Sequence, residues 1–115
     1  MEVEIGQAGG VTVLTPKGRL DSASSPDLEQ RLLGLVGTPG AAVALDCREL
    51  AYVSSAGLRV LLMAAKKARA AGARIALAAL QPSVRQVFDI SGFSALFEIH
   101  DDSAAAAEAL GAPSP

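Results

Sequence analysis

Two adjacent hydroxyl groups stand at the most chemically suggestive point of this 115-residue chain. Ser54 and Ser55 follow Ala51-Tyr52-Val53 and precede Ala56-Gly57-Leu58-Arg59, where Leu58, Leu61, Leu62, Ala65 and Ala68 begin to recur at helical spacing. A serine at that point meets the unpaired amides and the positive dipole end of a starting helix. Two chemistries suit the place. One is an N-cap, in which the hydroxyl accepts an amide hydrogen and contributes about 1 kcal/mol. The other is phosphate acceptance. The same amides and dipole favour an anion, so a phosphoserine adds about −1.5 to −2 of charge at an exposed point without opposing the fold. Asp21 and Asp46 each follow an extended apolar run. If those runs are parallel strands, both carboxylates reach the sheet edge that carries Ser55. Turn residues that take up local amides are the other reading of both.

Other chemistry is poorly supplied. A zinc cluster needs three or four Cys or His ligands, and the chain has one of each, Cys47 and His100. No metal is expected. Catalysis of the serine-hydrolase type needs Gly-x-Ser-x-Gly and a histidine base, and that spacing is absent. Cys47 reads as a packed small hydrophobe, and His100 as a surface or packed histidine. Gly9-Gly10, Gly37 and Gly40 form no phosphate-cradling loop, and no Gly-Lys-Ser/Thr follows them, so no cofactor is expected. Ten basic residues against twelve acidic ones, with one tyrosine and three phenylalanines, argue against nucleic-acid binding. The apolar run Leu58 to Ala65 meets Lys66 and Lys67 well before the ~20 residues a membrane span requires. The opening Met1-Glu2-Val3-Glu4 lacks the basic start of a signal peptide. A cytoplasmic, non-enzymatic protein without membrane insertion is expected.

The elements that must position the serines follow from periodicity. Val3 and Ile5 alternate with polar neighbours, Gly9-Gly10 turns, and Val11, Val13 and Leu14 return, which predicts a hairpin. Ser25-Pro26 opens a helix, with Ser25 as its cap, that carries Leu28, Leu32, Leu35 and Val36 and stops at Gly37. Ala41 to Leu45 forms a buried strand ending at Asp46, and the second helix stops at Gly72. Arg74 to Ala79 is another strand, and Pro82 opens a helix through Phe88 that stops at Gly92. Leu96, Phe97 and Ile99 suggest a last strand, and Asp101 or Asp102 can cap a terminal helix over 104–110. The order β-β-α-β-α-β-α-β-α implies a single α/β domain. Its sheet is mixed, mostly parallel, of four to five strands, with helices mainly on one face. The domain fills residues 1–110, and 111–115 is a frayed tail. A helical wheel puts Leu58, Leu61, Leu62, Ala65 and Ala68 inward and Val60, Met63 and Lys67 roughly opposite. Val60 and Met63 then offer apolar area to a partner unless a neighbouring helix covers them. From Arg59 to Arg74 there are five basic residues and no acidic one, the pattern of a solvated face.

Three segments in order resemble the STAS domains of bacterial anti-sigma factor antagonists. They are Gly18-Arg19-Leu20-Asp21, then Leu45-Asp46 with Leu50 and Tyr52 to Leu61, then Val84 to Phe88 with Ser91-Gly92-Phe93 and Leu96-Phe97. The likeness spans about residues 3–110. It implies a STAS fold and a partner-switching protein. The unphosphorylated form would bind an anti-sigma factor that is also a serine kinase and so release the sigma factor. Phosphorylation would end that binding, and a serine phosphatase would restore it. Alignment on Gly57-Leu58 places the acceptor at Ser55, and Asp21 and Asp46 match acidic positions beside it. Ser54 stands where sporulation-type members have aspartate, which makes it a rival acceptor, and Ala56 stands where they have serine or threonine. The partner face implied is Ser54, Ser55, Ala56, Gly57, Arg59, Val60 and Met63. The alternative within the same fold is a docking subunit of a lipid or anion transport system that works without phosphorylation. Monomer and homodimer both remain open.

Overall fold

Gly9 and Gly10, both at positive φ, turn β1 (Val3–Ala8) back onto β2 (Val11–Pro16) as an antiparallel pair. The structure is a computed structural model and describes residues 1–111. β4 (Ala42–Asp46), β6 (Arg74–Ala78) and β7 (Glu98–His100) join β2 in parallel, in the order β1-β2-β4-β6-β7. The five strands and the single antiparallel edge match the expected mixed sheet. Two further strands, β3 (Gly18–Leu20) and β5 (Leu50–Val53), pair in parallel as a separate ribbon that periodicity did not reveal. Runs of three and four residues are too short for an alternation to show.

The apolar strands hide a division of labour. In β4 and β6 the larger residues Val43, Leu45, Ile75 and Leu77 belong to one core. The intervening Ala44, Ala76 and Ala78 belong to another. The first core takes α1 (Ser25–Val36), α2 (Ser55–Ala71) and α3 (Pro82–Ile90), with Leu28, Leu32, Leu61 and Phe88 fully buried. The alanine face takes only α4 (Ser103–Gly111), through Ala106 and Leu110 against Val11. Helices therefore lie mainly on one face, as expected.

Four expectations need correction. The cap residue of α1 is Ser24, not Ser25. The Ser25 hydroxyl donates to the Asp21 carbonyl at 2.5 Å instead of taking a helix amide. Val60, placed opposite the core by the wheel, is buried, whereas Leu62 and Ala65 are only half-buried. A wheel presumes one buried stripe, but α2 packs on both the sheet and α1, so its buried arc is wider and rotated toward α1. Leu96 sits in a 3₁₀ turn (Phe93–Leu96) rather than in the last strand, half-exposed beside the buried Phe97. Gly111 closes α4 rather than opening a tail, and residues 112–115, with Pro113 and Pro115, lie outside the described residues. Asp102 does cap α4, its carboxylate accepting the Ala105 amide at 2.7 Å. No helix among the described residues is long and apolar enough to cross a membrane.

Candidate functional site

The two-stranded ribbon explains why the serines sit where they do. β3 and β5 end together, with Leu20 opposite Val53, so Asp21 and Ser54 leave the ribbon side by side. The Ser54 amide donates to the Leu20 carbonyl at 2.8 Å, which ties the start of α2 to the end of β3. The approach is close because residue 57 has no side chain. A Cβ there would lie 2.8 Å from Leu20 Cγ and 2.9 Å from the Leu20 carbonyl oxygen.

Within this joint the two hydroxyls part company. Ser54 is extended, and its Oγ accepts the Gly57 amide at 3.3 Å while its carbonyl takes the Leu58 amide at 2.9 Å. It is the N-cap of α2. Ser55 is the first helical residue, exposed, and its hydroxyl makes no hydrogen bond among the described residues. Spacing left cap and acceptor unassigned between the pair, and the geometry occupies one hydroxyl and frees the other. Ser54→Ala should therefore cost about 1 kcal/mol. That is a drop of about 4–8 °C in the melting temperature of a small domain, whereas Ser55→Ala should leave it unchanged. Circular-dichroism melts of the two variants check this.

Both aspartates serve turns. Asp21 Oδ1 accepts the amides of Ser24 at 3.1 Å and Ala23 at 3.0 Å. These bonds, the Ser24 amide foremost, hold its carboxyl below the usual range. Asp46 is buried, takes the Arg48 amide at 3.2 Å and meets the Arg48 guanidinium at 3.4 Å. Neither carboxylate bonds to Ser54 or Ser55 among the described residues. Asp21 is nonetheless the residue next to Leu20 and so lies beside the loop that carries Ser54 and Ser55.

The rest of the expected face divides by burial. Arg59 is exposed, one turn beyond Ser55; Ala56 and Met63 are half-buried; Gly57 and Val60 are buried. Ala56, Arg59, Val60 and Met63 line a cleft of about 250 Å³ whose other wall is Ser22 in the turn before α1 and Pro26 and Glu29 at the start of that helix. Val60 is thus the floor of a cleft rather than an exposed contact. One feature of this face was missed by sequence reasoning. Arg19 stacks over the ring of Tyr52, its cross-strand partner, at 4.1 Å, on the outer side of the ribbon that ends at Asp21 and Ser54. The clue was available in Tyr52, two residues before Ser54.

The other titratable groups stay apart. Cys47 is buried; desolvation, reinforced by the neighbouring Asp46 charge, pushes its thiol up to about 12. His100 is half-buried on the edge strand β7, its Nε2 lacking a hydrogen-bond partner and 3.9 Å from the Glu98 carboxylate. Among the described residues, no three His, Cys, Asp or Glu side chains converge as metal ligands.

Known proteins share this fold. The STAS domain family matches residues 2–106. A relative from Bordetella bronchiseptica, named "Putative anti-sigma factor antagonist BtrV", is 37% identical over 110 residues, covering 96% of this chain and 95% of its own. An anti-sigma factor antagonist from Mycobacterium paratuberculosis superposes with a TM-score of 0.84 at 22% identity, over 95% of this chain and 92% of that one. The anti-sigma factor antagonist SpoIIAA in its unphosphorylated form superposes with a TM-score of 0.76 at 19% identity, over 98% of this chain and all of the other (100%). At such identities the structural likeness speaks for the fold.

Proposed function

We propose that this chain, which belongs to the STAS domain family, is an anti-sigma factor antagonist whose hold on an anti-sigma factor kinase is governed by phosphorylation of Ser55. The observation that carries the reading is the split between the serines: Ser54 Oγ is committed to the Gly57 amide, and Ser55 Oγ is exposed and unengaged. In the unphosphorylated state the start of α2, with the α1–α2 cleft beside it, forms the surface the kinase grips. The kinase transfers the γ-phosphoryl group of ATP to Ser55 Oγ. A new O–P bond forms, the bond to the β-phosphate oxygen breaks, ADP leaves, and the hydroxyl proton passes to the kinase. A phosphatase reverses the change by directing water at the same phosphorus and releasing inorganic phosphate.

The fold tolerates the product. The first turn of α2 holds no acidic residue, the positive end of its dipole favours the new anion, and Arg59 lies one turn away on the same side. The charge therefore falls on the partner rather than on the domain. Surface charges are screened beyond about 8–10 Å, so a single phosphate ends the complex only from inside or beside the contact.

The test is to incubate the protein with its kinase and ATP and to locate the phosphate by fragmentation mass spectrometry. Phosphate is expected on Ser55, with Ser55→Ala unmodified and Ser54→Ala still modified. Phosphate on Ser54 alone would overturn the assignment.

A further inference from the structure

A second concavity lies at the other end of α2. Leu62 and Ala65 on the helix, Ala73 and Ile75 at the start of β6, and the half-exposed Leu96 of the 3₁₀ turn line a groove of about 660 Å³. That is within the range of small-molecule sites, about 300–1,000 Å³. Two cations, Lys66 and Arg69, stand on its rim. Both are exposed, and neither forms an ion pair among the described residues, although the chain has more acidic than basic residues. The remaining charges at the groove neutralise each other. Arg74 binds Glu98 through two guanidinium nitrogens, Nη2 at 2.9 and 3.1 Å and Nε at 3.4 Å, and its Nη1 donates to the Ala109 carbonyl at 3.3 Å.

These features select a ligand. The Arg74–Glu98 pair is saturated, so the wall neither repels an anion nor offers it a free fork. No aromatic ring lines the groove, so a nucleobase finds no stacking platform. A small inorganic anion would leave the apolar floor wet. An alkyl chain ending in one negative group satisfies both halves, covering Leu62, Ala65, Ala73 and Leu96 while its head meets Lys66 and Arg69. We propose that the groove binds a free medium-chain fatty carboxylate. This site is separate from the Ser55 face and does not depend on the switching role.

The experiment is a titration of ¹⁵N-labelled protein with dodecanoate, hexanoate and dodecyltrimethylammonium, each below its micelle-forming concentration, read as amide shifts. Dodecanoate should give saturable shifts at Leu62, Lys66, Ala73 and Leu96. Hexanoate, with six fewer methylenes to bury, should bind at least ~10-fold more weakly. The cationic amphiphile should also bind about 2–30-fold more weakly, and so should dodecanoate to Lys66→Ala/Arg69→Ala, since two exposed ion pairs are lost. Both substituted side chains are exposed, so the variant keeps its fold, which its amide spectrum verifies. Equal binding of the cationic amphiphile, unchanged affinity in the double variant, or shifts confined to other surfaces would overturn the proposal. So would groove shifts that grow with protein concentration alone, which would assign the groove to a second copy of the chain.

Discussion

Ser55→Asp is expected to raise the dissociation constant for the anti-sigma factor kinase at least ~100-fold while leaving the melting temperature within a few degrees of the parent. The two halves of the expectation have different causes. A carboxylate at the first helical position meets the positive end of the α2 dipole, which favours it by about 0.3–1 kcal/mol. The fold has no reason to object, because Ser55 is exposed and its hydroxyl holds nothing in place. At a closed interface the same charge loses its water without gaining a partner, a penalty of several kcal/mol. Titration calorimetry and a thermal melt on the same preparation separate the effects. A melting temperature lower by ten degrees or more would make Ser55 a structural residue, and an unaltered dissociation constant would remove it from the contact.

Gly57→Ala is expected to destabilise the domain by about 2–3 kcal/mol. The sign is the informative part. Inside a helix, replacing glycine by alanine ordinarily stabilises by about 1 kcal/mol. Here the added methyl would sit 2.9 Å from the Leu20 carbonyl oxygen, which is backbone and has no rotamer to escape into. That oxygen also accepts the Ser54 amide, so relief of the clash pulls on the cap itself. Urea denaturation measures the change, and a neutral or stabilising result would show that β3 and α2 are not held in such close contact. The same substitution should slow phosphorylation of Ser55, because the start of α2 shifts with it.

Much of the fold was legible in the residues alone, and the exceptions share a cause. Gly37 and Gly72 end their helices where expected, and Asp102 caps the last one, since those signals are local. Four of the five sheet strands, β1, β2, β4 and β6, are runs of five or six residues separated by a glycine turn or by helical runs. The ribbon of β3 and β5 was invisible because its partners are about thirty residues apart and neither strand has length enough for a pattern. Val60 was misplaced because a wheel sees only its own helix, whereas α2 also packs on α1 and Val60 lies in the cleft between them. At the site, alignment on Gly57-Leu58 pointed to Ser55, but only the extended backbone of Ser54 and its bond to the Gly57 amide account for the division between the serines. Cap choice depends on backbone angles that differ between neighbouring residues of one type. At α1 the helix boundary also falls one residue earlier than expected, with Ser24 in helical backbone making no side-chain cap bond and Ser25 bonded to the Asp21 carbonyl.

If Ser55 is the phosphoacceptor proposed above, the ribbon also decides what its kinase can recognise. The platform beneath Ser54 and Ser55 is built from β3 and β5, two stretches far apart in the chain, and Gly57 is pinned by Leu20 rather than by a sequence neighbour. The epitope is therefore discontinuous. A short synthetic peptide carrying Tyr52 to Leu61 would have the right letters without the surface, and a half-made or unfolded chain would be equally unreadable. An enzyme that engages this face thus takes a census of folded molecules only, and damaged copies drop out of the signal without needing to be cleared first.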